Sequence, residues 1–243
     1  YNSGAYVEIN SSQFNNNSGI DGGVMANLNE AIVIVNNNNF SNSYAELGGV
    51  MYNYIHKILG NQVITLEGNL FNNSIATVNG GAIYNYNVTC IASNNNFISN
   101  EAKSSGGAIH NDMFAKITSS NNYFENNTAF NGGAISNVVV CLNSFNDRFI
   151  NNKATVACAL YVDNSTLNVL NGTFIGNNNT SIDAYALLDL DNSIISIEVS
   201  TESTDDLNAR KTVKEIDSII IPDSYLDANE DGVYTLTKDQ YSA

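Results

Sequence analysis

Two aspartates have the relative placement that a polysaccharide-cleaving site would need. Asp112 and Asp163 each stand five residues after the second position of a recurring double-glycine motif or its degenerate form. Glycoside hydrolases use two carboxylates about 5 to 9.5 Å apart. If the repeats stack as neighbouring strands, Val138 lies between these aspartates and separates them by about 10 Å. No Arg or Lys shares their repeat position, so we predict that the chain is not an enzyme.

A second set of oxygen ligands lies near the end of the chain. Asp227, Asn229 and Asp231 are spaced like the first ligands of an EF-hand calcium loop, and Gly232 follows at its sharp turn. The twelfth position of such a loop supplies a bidentate Glu, but Lys238 stands there. The segment is therefore either a calcium site or a metal-free turn between two strands. We expect no other cofactor.

Aromatic residues recur at two neighbouring repeat positions. The residue after the inward aliphatic position of the motif should point outward, since side chains alternate along a strand. Stacked outward rings suit contacts with sugars or proteins. Alternatively, outward Tyr only favours the strand conformation. The residues that we predict to form this binding surface are Tyr52, Tyr54, Tyr84, Tyr86, His110 and Tyr161. His110 does not indicate a metal site, because the other histidine, His56, occupies a different repeat position.

The composition excludes several classes of partner. The 243 residues carry nine Lys and Arg against 24 Asp and Glu, a net charge of −15. Such a chain repels nucleic acid and has no polybasic segment for anionic membrane surfaces. It contains no run of about 18 apolar residues, so we predict no direct membrane insertion. Cys90, Cys141 and Cys158 fit no zinc or redox motif and are expected to be buried free thiols.

Two short motifs alternate along the chain and define a repeat of about 26 residues. One is a double glycine followed by small and aliphatic residues, as in GGAIYN from Gly80 and GGAIHN from Gly106. The other is a Phe with Asn or Ser three residues later. Its Phe residues are Phe14, Phe40, Phe71, Phe97, Phe124, Phe149 and Phe174. The 31-residue interval after Phe40 places an insertion within residues 54–69.

The repeat predicts an all-β, right-handed parallel β-helix of about seven coils over residues 1–190. Apolar or small residues stand seven and five positions before each Phe, the alternation of a strand with one buried face. We predict three strands per coil, with the Phe and aliphatic positions forming buried columns. Two asparagine ladders are expected. One would contain Asn37, Asn94, Asn121, Asn146 and Asn171, and the other Asn27, Asn53, Asn85, Asn111 and Asn137.

The pairing of GGAI with FxxN resembles the repeat of the chlamydial polymorphic outer-membrane proteins. Its asparagine-rich form is similar to the adhesin-like proteins of methanogenic archaea, over about residues 1–190. The resemblance implies an extracellular, cell-surface location and attachment to a protein or glycan of another cell. The alternative is a polysaccharide-binding or polysaccharide-degrading β-helix of the pectate-lyase kind. Exposed Asn-X-Ser/Thr sequences could also be glycosylated.

Both ends of the repeat carry an expectation. Residues 191–243 are acidic and lack the motifs, which predicts a small cap or the start of a following domain. At the other end, Val7, Ile9 and Phe14 follow the strand pattern although no double glycine precedes them. Solenoids cover their terminal coils, so we expect flanking repeats of a longer chain to be a partner of this one.

Overall fold

The strands form four parallel sheets along one solenoid. The structure is a computed structural model that describes residues 1–56, 62–163, 165–177, 181–185, 195–199, 210–211 and 233–235. In these ranges every regular element is a β-strand. Equivalent strands of successive coils pair in parallel, and antiparallel pairing within the described ranges joins only Ile195–Val199 and Val233–Thr235. The predicted parallel β-helix is confirmed.

Each sheet collects one segment from every coil, and strands are numbered in chain order. The glycine sheet contains β1 (Asn2–Ser3), β4 (Met25–Leu28), β8 (Met51–Tyr54), β12 (Ile83–Tyr86), β16 (Ile109–Asp112), β20 (Ile135–Val138), β24 (Leu160–Asp163), β26 (Ile182–Tyr185) and β28 (Arg210–Lys211). The aliphatic sheet contains β2 (Tyr6–Asn10), β5 (Ile32–Asn36), β9 (Val63–Glu67), β13 (Thr89–Ser93), β17 (Lys116–Ser120), β21 (Cys141–Phe145) and the first half of β25 (Thr166–Ile175).

The other two sheets follow in each coil. The phenylalanine sheet contains β3 (Gln13–Asn15), β6 (Asn39–Ser41), β10 (Leu70–Asn72), β14 (Asn96–Ile98), β18 (Tyr123–Glu125), β22 (Arg148–Ile150) and the second half of β25. The short sheet contains β7 (Tyr44–Leu47), β11 (Ile75–Asn79), β15 (Glu101–Ala102), β19 (Thr128–Asn131) and β23 (Lys153–Val156). The prediction of three strands per coil is therefore wrong, because the short sheet adds a fourth. Finally, β27 (Ile195–Val199) pairs with β25, and β29 (Val233–Thr235) pairs with β27.

The register places equivalent residues directly above one another. The seven Phe rings stack with centroids 4.7–5.1 Å apart, and these six contacts mark about six complete turns. The insertion that lengthens this interval lies between β8 and β9, because β9 pairs with β5 in the regular register, with Val63 opposite Ile32. From Phe40 to Phe174 the rings are fully buried. Together with the aliphatic residues they form one continuous core.

The two corners on either side of the phenylalanine strand need a residue with positive φ. One precedes the phenylalanine strand, and Asn occupies it in most coils, for example Asn94 with φ 55°. The other follows the Phe by two residues, as at Asn126 with φ 55°. Asn tolerates the left-handed region better than most residues. The corner asparagines therefore explain much of the unusual composition.

The residue after each corner points inward and joins a buried ladder. In the first corner ladder, Asn95 Oδ1 accepts hydrogen bonds from the backbone nitrogen and the Nδ2 of Asn69, both at 2.9 Å. Its members are Asn38, Asn69, Asn95, Asn122 and Asp147. The second corner ladder contains Asn100, Asn127, Asn152 and Asn177. These amides pair backbone groups that the corners would otherwise leave buried and unpaired.

A third ladder runs along the glycine sheet. Each Nδ2 donates to the next Oδ1 at 2.8 Å, from Asn27 through Asn53, Asn85 and Asn111 to Asn137. This predicted ladder is confirmed. The other prediction is wrong in its position, because Asn121 and its equivalents are the exposed corner residues, one place before the buried ladder. Asn146 Nδ2 still donates to Asn121 Oδ1 at 3.3 Å, but on the surface.

The double glycine is required by backbone packing. Gly106 has φ +69°, and a Cβ at Gly107 would collide with the carbonyl oxygen of Gly133 in the next coil. No other residue type fits both positions without moving a strand. The motif ends at Ala157–Cys158, where Ala157 adopts φ 55°.

The cysteines do not all match the expectation. All three cysteines are thiols rather than disulfides; Cys90 and Cys158 are buried, whereas Cys141 is partly exposed on the aliphatic sheet. The difference arises because Cys141 is the first residue of β21, whose side chain points outward, while Leu142 points into the core. No helix in the described ranges is long and apolar enough to cross a membrane.

Candidate functional site

The glycine sheet presents two outward columns of side chains beside its buried ladder. In this sheet, the first and third residues of each strand from β8 to β24 point inward, so the second and fourth residues face outward. These strands are β8, β12, β16, β20 and β24. The first column is Tyr52, Tyr84, His110, Ser136 and Tyr161. The second column is Tyr54, Tyr86, Asp112, Val138 and Asp163. We call these two columns the tyrosine face.

Five of the six residues predicted to bind are brought together in one cluster of rings. Tyr54 and Tyr86 stack at 4.7 Å between centroids, and Tyr52 and Tyr84 at 5.4 Å. His110 continues the first column, 5.4 Å from Tyr84. Tyr52 and Tyr54 join the two columns at 5.8 Å, with ring planes 7° apart. The sixth residue, Tyr161, lies two rungs from His110, with Ser136 between them.

Exposure differs along the face. Tyr52, Tyr54 and Tyr86 are partly exposed, whereas Tyr84 is 7% exposed and His110 is 4% exposed. The expectation of exposed rings is wrong for these two residues. Tyr84 is stacked on both sides, and the double-glycine turn packs beside the same strands. A Cβ at Gly106 would lie 2.8 Å from the backbone nitrogen of His110.

The hydroxyl groups of Tyr52 and Tyr84 are held in the protonated form. Burial and the nearby Asp21 carboxylate raise the pKa of Tyr52 to about 12. Burial and Asp112 raise the pKa of Tyr84 further, and the Tyr84 hydroxyl donates to Asp112 Oδ2 at 3.4 Å. Burial also raises the pKa of Asp112, although hydrogen bonds from Met113 and Tyr84 oppose it. Tyr52 and Tyr84 are therefore neutral phenols that lie beside the carboxyl groups of Asp21 and Asp112.

Among the described residues, two buried polar atoms of the face lack a hydrogen-bond partner. They are His110 Nδ1 and Ser136 Oγ, which belong to residues paired on neighbouring strands. Burial lowers the pKa of His110 to about 4, so its imidazole is neutral at neutral pH. A neutral His110 avoids placing a positive charge in a site without a compensating partner.

The two aspartates keep the separation expected for their repeat positions. Asp112 pairs with Val138, which pairs with Asp163. The two aspartates are therefore two strand spacings apart, about 10 Å in total. Burial raises the pKa of Asp163 as well. The described ranges hold no group of three or more His, Cys, Asp or Glu placed to bind a metal ion. Asp227, Asn229 and Asp231, the predicted calcium ligands, lie outside the described residues.

One member of the site was missed from the sequence. His56 follows β8 and lies at the edge of the tyrosine face, with its Nδ1 3.2 Å from the Tyr54 hydroxyl. Its ring centroid is 6.4 Å from that of Tyr54. His56 stands two residues after Tyr54, as Tyr54 does after Tyr52, so continued alternation along the chain was the available signal.

Comparison with protein-family models, with curated proteins and with solved structures gives no match for this chain. The chemistry of the site is therefore the basis for assigning a function.

Proposed function

We propose that this chain is a non-catalytic, adhesin-like segment of an extracellular cell-surface protein. Its solenoid presents the tyrosine face to a protein or glycan of another cell. The observation that carries this proposal is the cluster of Tyr52, Tyr54, Tyr84 and Tyr86. Tyrosine combines a large apolar ring with a polar edge, and it is enriched in protein interfaces.

The ladders support a presenting role. Stacked amides and rings fix the strands below the tyrosine face, so its side chains lose little further freedom on binding. Preorganisation of this kind favours affinity, because ordering side chains at an interface opposes association. The acidic surface favours solubility and selects against nucleic acid and anionic lipid.

A binding assay with matched tyrosine variants tests the proposal. The chain is displayed on beads and incubated with cells and with a glycan array. We expect Tyr54→Ala and Tyr86→Ala to reduce binding, and Tyr44→Ala to leave it unchanged. Tyr44 is a suitable control because it is exposed on the outer side of the short sheet. Equal binding by all variants would refute the role of the tyrosine face.

The second candidate is a polysaccharide-degrading solenoid. The observation that favours it is the pair of outward carboxylates, Asp112 and Asp163, whose pKa values are raised by burial as a general acid requires. Release of reducing ends from a polysaccharide, abolished by Asp112→Asn, would support this activity over simple attachment.

A further inference from the structure

The tyrosine face presents ring edges rather than ring faces. Rings in successive coils have centroids only 4.7–5.4 Å apart and planes within 12–26° of parallel. Side-by-side coplanar rings would collide at this distance, so each ring overlaps its neighbour face to face. A ligand therefore cannot stack on an interior ring. It meets a row of ring edges and hydroxyl groups instead.

This row runs along the solenoid axis with the pitch of the strands, about 4.8 Å. A ligand lying along the axis stays in step with successive rungs only if the length of its repeating unit is close to that pitch. An extended peptide repeats at about 3.3 Å per residue, or about 6.6 Å on one side, and loses step within two rungs. One unit of an extended β-1,4-linked glycan is close to one rung in length, so such a chain stays in step with the rungs although its successive units face opposite ways.

The charges of the face narrow the class of glycan. Asp112 and Asp163 are outward in the second column, and Asp21 lies near Tyr52. The ten outward positions of β8 to β24 hold no Lys or Arg. Their hydroxyl and carboxylate groups can donate to and accept from sugar hydroxyls. A uronate or sulfated chain would instead meet carboxylates without a compensating cation.

We infer that the tyrosine face binds an uncharged, linear β-1,4-linked glycan that lies along the solenoid axis, with one sugar unit per coil. This inference rests on the proposed attachment function and names the ligand class of the same face. Tyr52, Tyr54 and Tyr86 contact the sugar units through their hydroxyl edges, and Asp112 accepts from sugar hydroxyls on the third rung. Binding strengthens with each added unit until the five rungs from Tyr54 to Asp163 are covered.

Calorimetric titration with β-1,4-linked glucose oligomers of increasing length tests this inference on the whole chain. Affinity should rise up to about five units, one per strand rung, and then level off. Oligomers of galacturonate of the same length should bind more weakly. An affinity that does not depend on length, or a preference for the anionic oligomers, would overturn the inference.

Single-hydroxyl variants separate edge contacts from ring stacking. Tyr54→Phe and Tyr86→Phe keep the ring columns and so should fold like the native chain. If the hydroxyl edges carry binding, each change weakens affinity roughly three- to ten-fold, the effect of one lost hydrogen bond. Tyr44→Phe should have no effect. Full affinity in Tyr54→Phe and Tyr86→Phe would contradict the edge contacts.

The outcomes for the two proposals are distinguishable. If cell binding depends on Tyr54 and Tyr86 but no glucose oligomer binds, the glycan inference fails while attachment through the tyrosine face stands. If cell binding is also unaffected by the tyrosine variants, both proposals fail.

Discussion

Replacing Asp147 with Asn should change how the stability of the chain depends on pH. Asp147 is the acidic member of the first corner ladder and is fully buried. Its carboxylate accepts from the Ser144 hydroxyl at 2.6 Å and from the Asn122 backbone nitrogen at 2.7 Å. Burial raises its pKa from 3.8 to about 6 despite these hydrogen bonds.

The sign of the effect follows from the raised pKa. Between pH 3.8 and about 6 the folded chain retains a proton on Asp147 that the unfolded chain releases. The free energy of unfolding therefore falls as the pH rises through this window. A shift of about 2 pKa units corresponds to about 3 kcal/mol. Asn stays neutral at every pH, so Asp147→Asn removes this loss and places at this rung the same amide that the other coils carry.

Urea unfolding of both proteins between about pH 4 and pH 8 measures the effect. Over this pH range, the unfolding free energy of Asp147→Asn minus that of the native chain should increase by about 3 kcal/mol. His110 titrates in the opposite direction, but its contribution is common to both proteins and cancels in the difference. Glu101→Gln, at an exposed site, is the control and should follow the native curve. Parallel curves for Asp147→Asn and the native chain would refute the reasoning.

Three further outcomes can be checked by unfolding or titration. Asn111→Ala should destabilise by about 2 to 4 kcal/mol, because both neighbouring amides of the glycine-sheet ladder lose a partner. Asn96→Ala, at an exposed position in β14, should stay within about 0.5 kcal/mol. Phe97→Ala should lower the free energy of unfolding by about 3 to 5 kcal/mol, because it opens a cavity in the ring stack. Phe130→Ala, at an exposed position, should be nearly neutral. Equal losses of unfolding free energy in both variants would contradict the assigned core. An NMR titration should show His110 neutral down to about pH 4. The free energy of unfolding should fall as the pH drops from 6.5 towards that value, because the unfolded chain takes up the proton first. A titration midpoint near pH 6.5 would contradict the burial of the ring.

The repeat was sufficient to predict the columns of the solenoid. Residues such as Phe97 and Asn111 recur with the same neighbours in successive coils, and parallel stacking then places them directly above their equivalents. The same logic brought Tyr52 and Tyr84 together. The short sheet was not recognised, because its strands contribute small inward residues such as Ala76 and Ala102, which form a separate small cluster without a marked apolar pattern.

Consecutive asparagines explain the misplaced ladder. In Asn94–Asn95 and Asn121–Asn122 the residue type alone does not reveal which side chain forms the corner and which points inward. Gly68 was the informative exception, because it precedes Asn69 and has φ +64° at the corner position. The burial of His110 could not be read from alternation, because His110 is placed on the outer side of its strand by alternation and yet is only 4% exposed, with its ring stacked on Tyr84.

The direction of the hydrogen bonds between coils has a mechanical consequence. These bonds run along the solenoid axis, so tension applied along that axis loads them as a zipper, with one coil opening at a time rather than all coils sharing the force. A regular coil of 25 to 27 residues that opens would lengthen from about one strand spacing to roughly 80–95 Å of extended chain. The chain would therefore yield stepwise under a pulling force, extending by one coil at each step while the remaining coils keep their rings and amides in register.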